Sequence, residues 1–106
     1  MELKAKIELI SKILDEKKAE DILVIDVREK VNYADYLIIA SGQTKNFIQA
    51  LSNYVEIGLK EHHEFTLHIE GEREGRWILL DYVDVIVHLF IATEREYYNL
   101  EKLLGV

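Results

Sequence analysis

Asp81, Asp84 and His88 lie close together in the sequence and carry the side chains best suited to chemistry. Two carboxylates and an imidazole are a donor set that suits a divalent metal ion. Aspartates are also common at hairpin ends because they satisfy backbone groups in turns, and they can bind a lysine or arginine of a partner protein. The pattern favours turn chemistry first, partner recognition second and a metal site third.

A second candidate is the segment Ser41-Gly42-Gln43-Thr44, where a strand is predicted to lead into a helix. Such a loop can bind phosphate through free backbone N–H groups. It has one glycine and no lysine at P-loop spacing, so an ordinary helix start is favoured. Ser41 does not stand in a G-x-S-x-G motif. The sequence therefore predicts no catalytic residue, no metal ligand set and no cofactor.

Hydrophobic periodicity predicts the elements that must position these residues. Helices are predicted over residues 2–18 and from the Ser41-Gly42-Gln43-Thr44 segment to about residue 61. A last helix is predicted to begin where Thr93 and Glu96 form a capping box. That last helix would carry Tyr97, Leu100, Leu103 and Leu104. Strands are predicted over residues 22–27, 36–40, 65–69, 76–81 and 84–92.

The resulting order, α-β-β-α-β-β-β-α, predicts a single α/β (α+β) domain over residues 1–106, with a mixed five-stranded sheet flanked by helices. The first two strands are apolar at consecutive positions, so both are expected to be covered on both faces. The helix between strands two and three is expected to make one crossover between parallel strands.

The last two strands are predicted to form a hairpin with a two-residue turn at 82–83. In that register Asp81 lies opposite Asp84, and Trp77 lies opposite His88. One hairpin face is aliphatic and is expected to meet the core: Ile78, Leu80, Val85, Val87 and Leu89. The other face combines a tryptophan with aliphatic, histidine and carboxylate side chains, the composition of a protein-binding hot spot. A helix of the same protein covering that face explains the composition equally well.

The charge of the chain bears on its partners. Its 106 residues carry a formal net charge of −7, with the basic residues scattered among more numerous acids. A protein that binds phosphates directly needs a basic face, so direct nucleic-acid binding is not expected and a basic protein suits the charge better. On charge alone, an acidity that serves only solubility is the favoured explanation.

The sequence also bears on the compartment. It contains no cysteine, has no apolar run of the roughly 20 residues that span a bilayer, and does not begin like a signal peptide. A cytoplasmic protein without membrane contact is expected.

Three blocks of the chain carry a family pattern. They are Ala34-Asp35-Tyr36 leading into Ile38-Ile39-Ala40-Ser41-Gly42, then Trp77-Ile78-Leu79-Leu80-Asp81-Tyr82 with Asp84-Val85-Ile86-Val87-His88-Leu89-Phe90, and Arg95-Glu96-Tyr97-Tyr98-Asn99-Leu100-Glu101-Lys102-Leu103. These blocks resemble the ribosomal silencing factor family, also called RsfS, Iojap-like or DUF143 proteins. The last block resembles the closing R-x-x-Y-x-L-E-x-L pattern of the family, and Asp26 stands where the family tends to have an aspartate. The resemblance covers nearly the whole chain.

The resemblance implies a protein that binds the large ribosomal subunit through its ribosomal protein L fourteen. Such proteins occupy the surface where the small subunit docks, prevent the subunits from joining and lower translation when nutrients are short. The family fold resembles that of nucleotidyltransferases without their active site. The residues expected to contact the partner are Trp77, Leu79, Asp81, Tyr82, Asp84 and His88, with Asp35 and Tyr36 as further candidates.

Two other functions stay open at this stage. One is a nucleotide-binding or nucleotidyltransferase-like enzyme in which Asp81 and Asp84 hold Mg²⁺. The other is a homodimer whose sheet face pairs with itself. One departure from the family pattern bears on all of them: the family usually has glycine in the motif D-Y-G-D, and this chain has Val83. A β-branched residue resists positive φ, so the turn is predicted either to differ in type or to be strained.

Overall fold

The computed structural model describes residues 1–99 and 102. Its elements are α1 (Leu3–Glu16), β1 (Glu20–Asp26), β2 (Tyr36–Gly42), α2 (Lys45–Lys60), β3 (His68–Glu70), β4 (Trp77–Asp81), β5 (Val85–Ile91) and α3 (Ala92–Tyr98). The predicted order of helices and strands is confirmed. The start of α2 follows from local chemistry, because the Thr44 side chain accepts a hydrogen bond of 3.1 Å from the Phe47 backbone N–H.

The five strands form one mixed sheet in the order β1-β2-β5-β4-β3. Strands β2 and β5 are parallel, and every other neighbouring pair is antiparallel. The predicted mixed five-stranded sheet is therefore confirmed. The segment containing α2 connects two strands that are not neighbours, since β5 and β4 lie between β2 and β3.

The prediction that β1 and β2 are both covered on both faces, as in the middle of an α/β sheet, holds for β2 only. Strand β2 lies between β1 and β5 and is buried along almost its whole length. Strand β1 is an edge strand, and the side chain of Val24 in it is 40% exposed. The two strands have similar apolar runs, and only their places in the sheet differ.

Each face of the sheet carries its own hydrophobic core. The first core lies under α1 and α2 and joins Ile10 and Leu14 of α1 to Val55 of α2 and to the sheet. It includes the predicted aliphatic hairpin face: Ile78, Leu80, Val85, Val87 and Leu89. The second core lies on the opposite face and joins Ile25, Val27, Leu37, Ile39, Ile86 and Phe90, with Trp77 and Leu79 packed against it.

Helix α3 begins differently from the prediction. Ile91 ends β5 and is also the N-cap of α3, so no loop separates the two elements and Thr93 lies inside the helix. No side-chain hydrogen bond caps this helix, and the predicted Thr93–Glu96 capping box is wrong. Arg95 of α3 donates to the Asp21 carbonyl oxygen and, at 3.0 Å, to Ser41 Oγ. The side chain of Tyr97 and residues Leu100, Leu103 and Leu104 lie outside the described part of the chain.

None of the helices within residues 1–99 is long and apolar enough to cross a membrane.

Candidate protein-binding site at the turn end of the sheet

The turn between β4 and β5 is centred one residue later than predicted. The Tyr82 N–H donates to the Val85 carbonyl at 2.9 Å, and the Asp84 N–H donates to the Tyr82 carbonyl at 3.0 Å. Val83 and Asp84 are therefore the turn residues. Val83 adopts φ +75°, so the turn is strained, as one of the two predicted alternatives had it.

This displacement changes the pairing of the hairpin. Asp81 lies opposite Ile86 and Trp77 lies opposite Phe90, so the predicted pairs Asp81–Asp84 and Trp77–His88 are wrong. The register moves by two residues, and side chains alternate between faces with a period of two. The predicted division of the hairpin into two faces is therefore retained.

The two aspartates of the turn have separate partners. One oxygen of Asp81 accepts from the Val83 N–H at 2.7 Å, and the other lies 3.7 Å from His68 Nδ1 on β3. Asp84 Oδ1 accepts from Lys6 Nζ of α1 at 2.8 Å. Turn chemistry explains Asp81, as the sequence favoured, while an internal lysine neutralises Asp84. Within residues 1–99, no group of three or more acidic, histidine or cysteine side chains is arranged to hold a metal ion.

His88 supports Trp77 from inside the second core. Trp77 Nε1 donates to His88 Nδ1 at 3.0 Å, so this ring nitrogen is an unprotonated acceptor. His88 is 7% exposed, and burial lowers its pKa to about 4. The Trp77 ring also stacks on Phe90, with the ring centroids 4.9 Å apart. His88 therefore orients the tryptophan as a neutral ring.

The start of β2 is joined to the turn through backbone hydrogen bonds. The N–H groups of Asp35 and Tyr36 both donate to the Asp84 carbonyl, at 2.8 and 3.1 Å. Asp35 and Asp84 line a shallow hollow of about 340 Å³ together with Tyr33 and Val83. We call this edge, from the end of β1 across the turn to the start of β3, the turn end of the sheet.

The structure divides the predicted partner-binding residues into three groups. Asp35, Tyr36, Asp81 and Asp84 meet at the turn end. Trp77, Leu79 and His88 lie along the second face of the sheet, where Trp77 and Leu79 are half-buried and His88 is buried. Tyr82 is 3% exposed and belongs to the first core, where burial raises the pKa of its hydroxyl.

Two basic residues that the sequence did not single out shape the turn end. Lys6 is 5% exposed and connects α1 to the turn. Its position between Leu3 and Ile10 on the apolar side of α1 was the available signal, since i+3 and i+4 neighbours share a helix face. Arg28 lies 2.6 Å from Asp26 and holds the pKa of that carboxyl at about 2. Its guanidinium also lies over the Tyr36 ring, 5.2 Å from the centroid.

Comparison with known proteins gives these features a family. The family model described as "Ribosomal silencing factor during starvation" matches residues 1–105. This chain belongs to the ribosomal silencing factor family. The fold, the D-Y-V-D turn and the tryptophan-bearing strand are therefore those of a family member, and the resemblance seen in the sequence is confirmed.

Individual relatives agree with this membership. The "Ribosomal silencing factor RsfS" of Bacillus subtilis is 38% identical over 105 residues, covering 99% of this chain and 89% of that protein. The "Mitochondrial assembly of ribosomal large subunit protein 1" of Mus musculus is 32% identical over 100 residues, covering 92% of this chain and 44% of the mouse protein. A crystal structure of a Chromobacterium violaceum protein superposes with a TM-score of 0.95 at 32% identity, covering 99% of this chain and 88% of that one.

Proposed function

We propose that this protein binds the large ribosomal subunit through ribosomal protein L fourteen and sterically blocks association with the small subunit. Translation would then be repressed when nutrients are limiting. The observation that carries the proposal is the match of residues 1–105 to a ribosomal silencing factor family. The mechanism needs no chemistry, because a protein surface that is already occupied cannot form the contact between the subunits.

In this proposal some of the predicted contact residues touch the partner, and the others hold those residues in position. Asp35, Tyr36, Asp81 and Asp84 would offer carboxylates and a phenol ring at the turn end, and the half-exposed parts of Trp77 and Leu79 would extend the contact along the second face. Tyr82 and His88 are buried and would hold these elements in place. An acidic contact surface suits a basic ribosomal protein, since complementary charge speeds encounter and selects the partner.

The proposal includes a role without catalysis or a cofactor. It also includes a single RsfS/Iojap-like domain over residues 1–106 that acts in the cytoplasm. The alternative enzyme would need Asp81 and Asp84 to share a cation. The Asp81 carboxylate instead contacts His68 and the Val83 N–H, and the Asp84 carboxylate contacts Lys6. A homodimer of the free protein stays compatible with the proposal, because self-association and ribosome binding can compete for the same face.

Sedimentation tests the proposed function. Purified large subunits are incubated with the protein, small subunits are added, and the mixture is separated on a sucrose gradient at a magnesium concentration that permits subunit joining. The protein is expected to migrate with large subunits and to reduce the joined-particle peak. A protein that stays at the top of the gradient, or that migrates with large subunits without reducing that peak, would contradict the proposal.

A further inference from the structure

The most exposed large apolar side chains of residues 1–99 lie in the segments that lead into β2 and β3 and in the β4–β5 turn. Among residues 1–99, four such side chains are at least 60% exposed: Tyr33 at 60%, Val83 at 61%, Phe65 at 62% and Leu67 at 68%. Tyr33 precedes β2, Val83 is in the β4–β5 turn, and Phe65 and Leu67 precede β3. Tyr33, Val83 and Leu67 therefore lie at the turn end of the sheet, and Phe65 lies two residues before Leu67 in the chain.

Hydrogen bonds and a shared hollow connect three of these residues to the β4–β5 turn. The Leu67 N–H donates to the Asp81 carbonyl at 2.7 Å, and the Val83 N–H donates to the Asp81 side chain at 2.7 Å. The backbone N–H groups of Leu67 and Val83 are thus both hydrogen-bonded to Asp81. On the other side of the turn, Val83 and Tyr33 line the hollow that also contains Asp35.

The charge around these side chains is acidic. Asp35 lines the hollow with Tyr33 and Val83, and Asp81 accepts hydrogen bonds from Leu67 and Val83. Lys6 and Arg28 are engaged in ion pairs within the protein. Lys6 Nζ is 2.8 Å from Asp84 Oδ1, and Arg28 is paired with Asp26 at 2.6 Å. An acidic surface repels phosphate backbones. It attracts a protein surface whose aliphatic side chains are surrounded by lysine and arginine.

We propose that Leu67, Val83, Phe65 and Tyr33 are the apolar anchors with which this chain binds a basic surface of a protein of the large ribosomal subunit. The inference rests on the proposed function and adds residues outside the tryptophan-bearing face. Apolar anchors between charged groups are the arrangement found at the centre of protein interfaces, where a few side chains provide most of the binding energy. Val83 adds an apolar side chain where the family pattern usually has glycine.

Single substitutions with a matched control test the inference. Leu67→Ser and Val83→Ser each remove one anchor, and Ile57→Ser removes an exposed apolar side chain of similar accessibility, 58%, from α2. Binding to purified large subunits is measured by sedimentation at several protein concentrations. Loss of a central anchor is expected to weaken binding about tenfold, while Ile57→Ser is expected to bind within about twofold of the wild type. Leu67→Met, which keeps an apolar side chain, is expected to retain binding.

The outcomes separate the two proposals. If the wild-type protein does not bind large subunits, both are overturned. If it binds and Leu67→Ser and Val83→Ser bind equally well, only the anchor surface is overturned. Binding of protein-free RNA from the large subunit as tightly as intact subunits would also overturn it, since a protein partner would then be unnecessary. Circular dichroism confirms that each variant is folded before its binding is compared.

Discussion

Replacing Lys6 by methionine should destabilise the protein far more than replacing an exposed lysine of the same helix. The Lys6 ammonium is 2.8 Å from Asp84 Oδ1, 3.5 Å from the Tyr82 carbonyl oxygen and 3.6 Å from Glu64 Oε2. The side chain is 6% exposed. Methionine keeps the length and most of the apolar contacts of the chain, so the substitution chiefly removes the charge and its hydrogen bonds.

The size of the effect follows from the exposure of the partner. Removing one member of a fully buried ion pair costs about 3–5 kcal/mol. The Asp84 side chain is 34% exposed, so water can solvate part of the carboxylate that is left behind. A hydrogen bond to a charged group contributes about 1.5–3 kcal/mol. We expect the free energy of unfolding of Lys6→Met to fall by about 2 kcal/mol.

Equilibrium urea unfolding at pH 7 measures this change, with the fluorescence of Trp77 and circular dichroism as probes. The control is Lys12→Met on the same helix, because Lys12 is 71% exposed and its ammonium is 3.9 Å from Glu16. Exposed pairs of this kind contribute less than about 1 kcal/mol. The double variant Lys6→Met/Asp84→Asn also removes the unpaired Asp84 carboxylate. It should therefore recover part of the free energy of unfolding that Lys6→Met loses.

Two results would refute this reasoning. Lys6→Met could unfold at the same urea concentration as Lys12→Met, in which case the ammonium does not stabilise the turn. Alternatively, Lys6→Met and Asp84→Asn could be additive in the double variant. That result would mean that the two residues do not interact in the folded protein.

The remaining predictions concern single groups at the site. Burial lowers the pKa of His88 to about 4, so the stability that depends on its neutral form is complete above pH 6.5 and is lost as the pH falls towards 4. Between pH 7 and pH 5 the free energy of unfolding of the wild type should fall by about 2 kcal/mol more than that of His88→Asn, measured by urea unfolding. Parallel pH profiles of the two proteins would contradict this. Val83→Gly should raise the free energy of unfolding by about 0.5–1 kcal/mol because glycine tolerates φ +75°, and a lower urea midpoint would show that the turn is not strained. Arg28→Gln should raise the pKa of Asp26 from about 2 towards its ordinary value near 4 in an NMR titration, and an unchanged titration would exclude Arg28 as the cause.

The parts of the fold that were predicted correctly depend on neighbours in sequence. The apolar spacing in α1 and α2 is a local signal, and both helices lie where it indicates. The division of the hairpin into two faces also follows from strand alternation alone. This division was correct although the predicted pairing of β4 with β5 was wrong by two residues.

The errors concern choices that local pattern does not determine. The sequence allows a two-residue turn at residues 82–83 or at residues 83–84, and the structure centres the turn on Val83 and Asp84. That turn places the Asp84 carbonyl where the N–H groups of Asp35 and Tyr36 reach it from a distant part of the chain. The Lys6–Asp84 pair likewise joins residues at opposite ends of the sequence.

The sequence by itself determined the element order, the family, the acidic charge and which residue types are available for binding. Only the tertiary structure decided which of those residues share a surface. It buried Tyr82 and His88, placed Asp35 beside Asp84, and brought the backbone N–H groups of Leu67 and Val83 within hydrogen-bond distance of Asp81. The physical reason is that strand order and turn register depend on hydrogen bonds and packing between distant segments, which the periodicity of any one segment does not specify.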